Sequence, residues 1–320
     1  MTWQNRLVKK EVSDSPVVEQ TPVIWEGKLL IVETWQTHWD GAPPSERQFY
    51  VRIRDEQSGE IICRLMDGFG FSSAFVWKDR MYVYATKCAG GVDADQSIYM
   101  SSSENLTDWS ESKLVIKRDD NEQLDNQSVC YDGKRFVMAY ETNAYSWFTL
   151  KFAESDDLIN WRKVPNALYG AEKYAACPAI RYTGGYYYML YLEYRRPKWW
   201  LETCVTRSKD LTTWMDAPHD RPVIVPDGNT PVHPDCPCPK HDDRADEISE
   251  DVDLLFLPML QQEPICPANG KECNTSDPDL VEWQGKTRVY FTGGCQHWGG
   301  LLQYAEFDGP MQKFFESYYE

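Results

Sequence analysis

The chain has 320 residues, 42% of them hydrophobic and 14% aromatic, with 13 Trp and 19 Tyr; that is enough apolar material for a substantial core and excludes a disordered chain. A net charge of −17 and a pI near 4.8 would repel phosphate backbones and anionic lipid, so nucleic acid and membrane surfaces are excluded as partners. No run of about 18 apolar residues is present to form a transmembrane helix. Residues 1–10 lack the apolar stretch of a secretory signal, which predicts a cytoplasmic protein, or a secreted one whose signal has been removed.

Taken in chain order, the first strong element is an apolar strand, a tight turn and a second apolar strand over Pro22–Glu33. The pattern returns at Ala74–Tyr84, Ser128–Tyr140, Pro178–Tyr191 and Asp279–Tyr290. Glu-Gly, Asp-Gly, Gly-Gly and Gln-Gly pairs at the turns supply the positive φ that tight hairpins require. A second repeat follows the middle three hairpins: Ser103-Glu-Asn-Leu-Thr-Asp-Trp109, Ser155-Asp-Asp-Leu-Ile-Asn-Trp161 and Ser208-Lys-Asp-Leu-Thr-Thr-Trp214, spaced 52 and 53 residues apart. Each trails a strand-like run (Ser97–Met100, Phe148–Ala153, Leu201–Thr206), and reads as strand, polar turn, Leu and Trp packed beneath, then a final strand. Five hairpin-led units of about four strands predict an all-β fold, a five-bladed β-propeller with four-stranded antiparallel blades around a central axis. A single domain over 1–320 is expected, with blades near 17–66, 67–118, 121–168, 171–226 and 274–316 and helical periodicity nearly absent. A β-sandwich is the competing architecture, but a repeat near 52 residues suits blades better.

Residues 227–273 interrupt the last two units. Pro231-Val-His-Pro-Asp-Cys-Pro-Cys-Pro-Lys-His241 leads into an acidic stretch to Asp253, followed by Cys266 and Cys273. This reads as a long loop folding over the mouth or against a partner subunit. Its Cys-x-Cys with irregular gaps is not a structural-zinc spacing, so surface thiols or one disulfide are expected. Cys63, Cys88, Cys130, Cys177, Cys204 and Cys295 are scattered and read as buried free thiols of a reducing compartment.

In a propeller the first strand of each blade lies nearest the axis, so the starts of first strands and the ends of second strands share a mouth. The starts are Glu19 and Gln20, Ser72 and Ser73, Asp125 and Asn126, Ala176 and Cys177, and Asp277. The ends are Glu33, Thr86 and Lys87, Glu141, Glu193, and the loop Gly294-Cys-Gln-His-Trp298. Carboxylates ending apolar strands are costly unless paired or solvated, and paired carboxylates are the machinery of glycoside hydrolysis. Glu193 and Glu141 are therefore candidate acid or orienting groups, and Asp277 the candidate base. Glu33, Ser73, Asn126 and Gln296 are candidate substrate contacts. Arg181 and Arg195 can bind an acidic sugar, clamp these carboxylates, or simply pair within their blade. Trp35, Trp39, Tyr145, Trp147, Trp199, Trp200 and Trp298 follow second strands, where they would stack on sugar rings at the rim or serve a homo-oligomer contact. No motif demands a metal, although carboxylates meeting on the axis can hold a structural divalent ion.

The repeated Ser-x-Asp-Leu-x-x-Trp, the run Ala176-Cys-Pro-Ala-Ile-Arg-Tyr182 with Tyr186–Glu193, and Asn274-Thr-Ser-Asp-Pro-Asp-Leu-Val-Glu-Trp-Gln-Gly-Lys286 resemble five-bladed glycoside hydrolases, nearest to families 43 and 117, with family 32 further away. The resemblance covers roughly residues 15–315. It implies a pocket enzyme removing terminal sugars, with acid and base from different blades and inversion favoured, which needs carboxylates about 6.5–9.5 Å apart. Family 43 places an Asp in the first inner strand, where this chain has Val18-Glu-Gln-Thr-Pro22; its Asp-Pro stands instead at Asp277-Pro278. Family 117 can use a histidine as acid, and that resemblance adds His297. Two other readings stay open: a glycoside phosphorylase, for which Lys87, Arg181 and Arg195 would supply cations, and a non-catalytic carbohydrate-binding propeller.

Overall fold

The computed structural model describes residues 3–10, 13, 15–17, 19–42, 48–88, 95–120, 122–145, 148–195, 200–227, 272, 274–295 and 298–320. A short strand β1 (Val8–Lys9) precedes a four-stranded antiparallel sheet of β2 (Gln20–Trp25), β3 (Lys28–Gln36), β4 (Phe49–Asp55) and β5 (Ile61–Leu65). The second sheet is β6 (Phe69–Trp77), β7 (Arg80–Lys87), β8 (Ile98–Ser103) and β9 (Lys113–Ile116). The third is β10 (Leu124–Tyr131), β11 (Phe136–Thr142), β12 (Thr149–Ser155) and β13 (Trp161–Tyr169). The remaining sheet has eight strands. One antiparallel group in it is β14 (Ala176–Thr183), β15 (Tyr186–Arg195), β16 (Trp200–Ser208) and β17 (Trp214–Asp216). The other is β18 (Asn274–Trp283), β19 (Lys286–Cys295) and β20 (Trp298–Phe307), completed by β1, which pairs with β20. The two groups join through a parallel pairing at Leu201 and Asn274.

The leading hairpin of each unit forms where the sequence predicts it. Glu26 and Gly27 take φ of 47° and 76°, and Gln284 and Gly285 take 50° and 76°, the left-handed pair that a two-residue turn needs to match strand twist. The Ser-x-Asp/Asn-Leu-x-x-Trp repeat is a polar turn that terminates itself. Asp157 Oδ1 accepts from the amides of Ile159 (2.9 Å) and Asn160 (2.7 Å), and Asp210 Oδ1 from Thr212 (2.9 Å) and Thr213 (2.7 Å). In all three copies the tryptophan Nε1 donates to the leucine carbonyl at 3.1 Å, while Leu106, Leu158 and Leu211 are buried. The tryptophans of this repeat are thus committed to the scaffold.

Apolar clusters fill every gap between neighbouring units. Val32 and Ile53 pack with Met81 and Val83; Tyr84 and Met100 with Met138 and Tyr140; Phe152 and Ala139 with Met189 and Cys204; Leu190 and Val205 with Leu280 and Phe291. Leu29 and Ile31 of the first sheet meet Val281 and Tyr290 of the last, so the series closes on itself. Polar ties run the same circuit along the inner strands. Thr34 hydroxyl meets that of Ser72 (2.9 Å), Gln127 Nε2 donates to the Tyr84 carbonyl (2.9 Å), and the Ile180 amide donates to Ser128 Oγ (3.1 Å). Arg181 donates to Asp279 (2.5 Å) and the Leu280 carbonyl (2.7 Å), and Gln20 Nε2 donates to the Asp277 carbonyl (2.7 Å). These buried polar groups find partners only when neighbouring inner strands stay in register.

Two elements depart from the sequence reading. β1 lies before the first expected blade, and its two residues present no periodicity to detect. A short helix α1 (Met311–Glu316) buries Phe314 and Phe315, the latter stacked on Tyr188 with ring centroids 4.7 Å apart. No helix among the described residues is long and apolar enough to cross a membrane. Apart from Asp227 and Glu272, the insertion 227–273 and its Cys and His residues lie outside the described residues.

Candidate active site

The inner strands share a local irregularity. The pairing register shifts between Gly70 and Ser73, Asp125 and Ser128, Ala176 and Ala179, and Ser276 and Asp279. Within these bulges Phe71, Asn126, Cys177 and Asp277 adopt φ of 52°, 46°, 50° and 51°. Each bulge turns its residue out of the pleat, as bulges beside functional sites commonly do. Pro178 and Pro278, which have no amide hydrogen to contribute to a ladder, occupy the second bulge position of two of them. In the first sheet Glu19 holds the equivalent place: it precedes the hairpin residue Trp25 by six positions, as Asp277 precedes Trp283.

These residues line one pocket of about 280 Å³ where the inner strands converge: Glu19, Gln20, Ser73, Asn126, Cys177 and Asp277 are all in its wall. Four carboxyl groups interact here, with no cation among the described lining residues. Burial and the nearby charge of Asp277, with smaller contributions from Asp125 and Glu141, hold Glu19 well above the usual carboxylate range. Burial raises Asp277 to about 6, against hydrogen bonds from Ser276 and Cys177 that favour its charge. Burial likewise lifts Asp125 to about 7 and, together with the Asp125 charge, Glu141 to about 8. Glu141 accepts hydrogen bonds from the Cys177 amide (2.8 Å) and Asn126 Nδ2 (3.2 Å). The cluster therefore holds protons at neutral pH, because like charges in a desolvated site cannot all ionise. Ser73 Oγ is buried with no hydrogen-bond partner among the described residues.

The structure gathers some of the sequence candidates and separates others. Asp277, Ser73 and Asn126 line the pocket, and Glu141 sits directly behind Asn126 and Cys177. Glu193 does not join them. It lines a different cavity, near Lys173 (3.4 Å), Arg195 (4.0 Å) and the hydroxyl of Tyr191, which donates to it at 2.7 Å. The cause is strand parity: the residue paired across from Ala176, as Glu141 is across from Asp125, is Leu192, so Glu193 faces the other side of its sheet. Glu33 is fully buried under Arg52 (2.8 Å) and Arg54 (3.2 Å). Trp35 is buried beneath the Arg52 guanidinium, 3.1 Å from its ring, and donates to Asp40. Arg181 donates to Asp279 and the Leu280 carbonyl of β18 and to the Ile180 carbonyl of its own strand, and Arg195 lies by Glu193 and Glu202. Trp298 begins β20; Gln296, His297, Trp147 and Trp199 lie outside the described residues. The sequence places Glu19 and Asp125 at the mouth without assigning them a role; the Trp-to-Trp alignment of the first and last hairpins is the signal that marks Glu19. Among the described residues no group of three or more His, Cys, Asp or Glu is arranged to hold a metal.

No protein-family model and no curated protein matches the chain. Solved structures do match in fold. A structure described as a glycoside hydrolase superposes with a TM-score of 0.60 at 13% identity, over 96% of this chain and 92% of that one. The catalytic domain of a GH62 α-L-arabinofuranosidase from Coprinopsis cinerea gives 0.62 at 9% identity, over 94% and 96%. A structure from the GH130 family, described as mannoside phosphorylases containing hydrolases that target β-1,2-mannosidic linkages in Candida mannan, gives 0.55 at 13% identity, over 92% and 85%. The chain thus shares the propeller-like fold of these glycoside hydrolase structures across nearly its whole length.

Proposed function

We propose that the chain is a five-bladed β-propeller glycosidase, its fourth and fifth blades being the two halves of the eight-stranded sheet, and that the axial pocket removes a terminal sugar from an oligosaccharide. The observation that carries this reading is that Glu19 and Asp277 share one pocket wall, with Asp125 and Glu141 close enough to act on them and proton affinities spread from about 6 upwards. Two carboxyl groups with separated proton affinities are what acid–base cleavage of a glycoside needs. Asp277, which ionises more readily than Asp125 and Glu141, is assigned as base towards water. Glu19, in the same wall and with its proton affinity raised by burial and by Asp277, is assigned as acid towards the leaving oxygen, with Glu141 behind Asn126. Ser73 and Asn126 are assigned to sugar hydroxyls. Exo action and inversion are carried from the family resemblance. Water is favoured over phosphate as the attacking group because no Lys or Arg is among the described lining residues and phosphate recognition calls for them.

A panel of aryl glycosides and natural oligosaccharides, assayed with and without inorganic phosphate, tests this. Phosphate-independent release of a terminal sugar is expected, with the first-formed anomer inverted by proton NMR. Turnover only with phosphate would replace hydrolysis by phosphorolysis, and saturable sugar binding without turnover would make the protein a binding module.

A further inference from the structure

A second cavity, of about 480 Å³, lies against β15, β16 and β17 and the loop after them, and shares no described lining residue with the axial pocket. Lys173, Tyr191, Glu193, Arg195, Asp216 and Arg221 carry its chemistry. The acceptors there are supplied: Lys173 Nζ donates to Asp216 at 2.7 Å and to Glu193 at 3.4 Å, Tyr191 donates to Glu193, and Tyr169 donates to Asp216 at 2.7 Å.

The donors are not. Arg195 is 8% exposed, and its Nε stands 4.0 Å from Glu193, within ion-pair range but beyond hydrogen-bond reach, with no hydrogen-bond partner among the described residues. Its Nη1 is 3.5 Å from Glu202. Arg221 spends Nη1 on the carbonyls of Tyr318 (3.0 Å) and Glu320 (2.6 Å), and its buried Nε also has no hydrogen-bond partner among the described residues. Unpaired buried cationic N–H groups are costly, and here both unmet groups are donors, so what the cavity lacks is an acceptor. Three cations in the wall, Lys173, Arg195 and Arg221, stand against two carboxylates, Glu193 and Asp216.

We infer that this cavity is a binding site for a small oxyanion, a carboxylate or phosphate group received by the free edges of Arg195 and Arg221. Lys173 pairs with Glu193 and Asp216 and so lessens their repulsion of the anion. The site is independent of the axial chemistry and would stand if the axial pocket proved inert.

Calorimetric titration of the full chain with inorganic phosphate and, separately, with glucuronate, each up to about 10 mM, tests it. Saturable binding of at least one is expected, and the arm that binds identifies the source of the oxyanion. Arg195→Gln, verified as folded by circular dichroism, should weaken that binding at least about tenfold, the scale of one charge-assisted hydrogen bond. Should Arg195→Gln fail to fold, Arg221→Gln must weaken it by the same factor. No saturable binding in either arm, or unchanged affinity in the folded variant, overturns the site and leaves water as the partner of these donors.

Discussion

Glu141 and Glu193 end the second strands of adjacent units, and they have opposite surroundings. Glu141 sits with Asp125 and Asp277, meets only neutral donors, and is pushed up to about 8 by burial and their charge. Glu193 sits with Lys173 and Arg195 and a donating tyrosine. One residue of strand parity separates them. A sheet has two faces, and one residue step carries a side chain from one to the other, so a single step decides whether a carboxylate joins a proton-holding cluster or a salt-bridged wall.

Activity variants break that comparison most sharply. Asp277→Asn and Glu19→Gln should each lower kcat/KM by about 10²–10⁴ in steady-state assays, the usual share of general acid–base catalysis. Glu193→Gln should lower it less than about tenfold. Equal losses for Glu193 and Asp277 would erase the distinction.

Protonation then sharpens it. Glu141 has a folded pKa of about 8 against roughly 4.3 unfolded, so the native state binds more protons between these values. Its contribution is fully present below the unfolded pKa and is lost as pH rises to about 8; Asp125 and Asp277 act in the same direction up to about 7 and 6. Urea unfolding should therefore show stability falling from pH 5 to pH 8. Glu141→Gln, which keeps an acceptor for the Cys177 amide, should flatten that fall and gain on the order of 1–3 kcal/mol at pH 8. On the salt-bridged side, Lys173→Met should cost about 1–2 kcal/mol by removing the cation that Glu193 and Asp216 share. The smallest effect belongs to the outer turns. Asp157 is pulled down to about 2, first by the Asn160 amide, and its contribution is lost only as pH falls from about 4 towards 2. Asp157→Ala should cost about 1 kcal/mol at pH 7 in the same unfolding assay.

The fold was legible because its signals are local and repeated. The five hairpin turns and the Ser-x-Asp/Asn-Leu-x-x-Trp turns satisfy their own hydrogen bonds within a few residues, so their chemistry is written in adjacent letters. β1 and α1 were not, because a two-residue strand and a six-residue helix owe their existence to β20 and Tyr188, far away in sequence. At the site, Asp277, Ser73 and Asn126 could be placed because strand starts can be counted from hairpin turns. Glu193, Glu33 and Trp35 could not, since facing is set by bulges and cross-strand arginines. Asp125 and Asn126 straddle such a bulge, and no spacing rule announces the extra residue.

Carboxyl ¹³C NMR titration of the protein, with Glu141→Gln for assignment, measures directly whether the axial carboxyl groups hold protons at neutral pH. The account predicts apparent transitions between about pH 6 and pH 8, the highest vanishing in Glu141→Gln. A titration in which every side-chain carboxyl is ionised by about pH 5, as for unperturbed Asp and Glu, would contradict it.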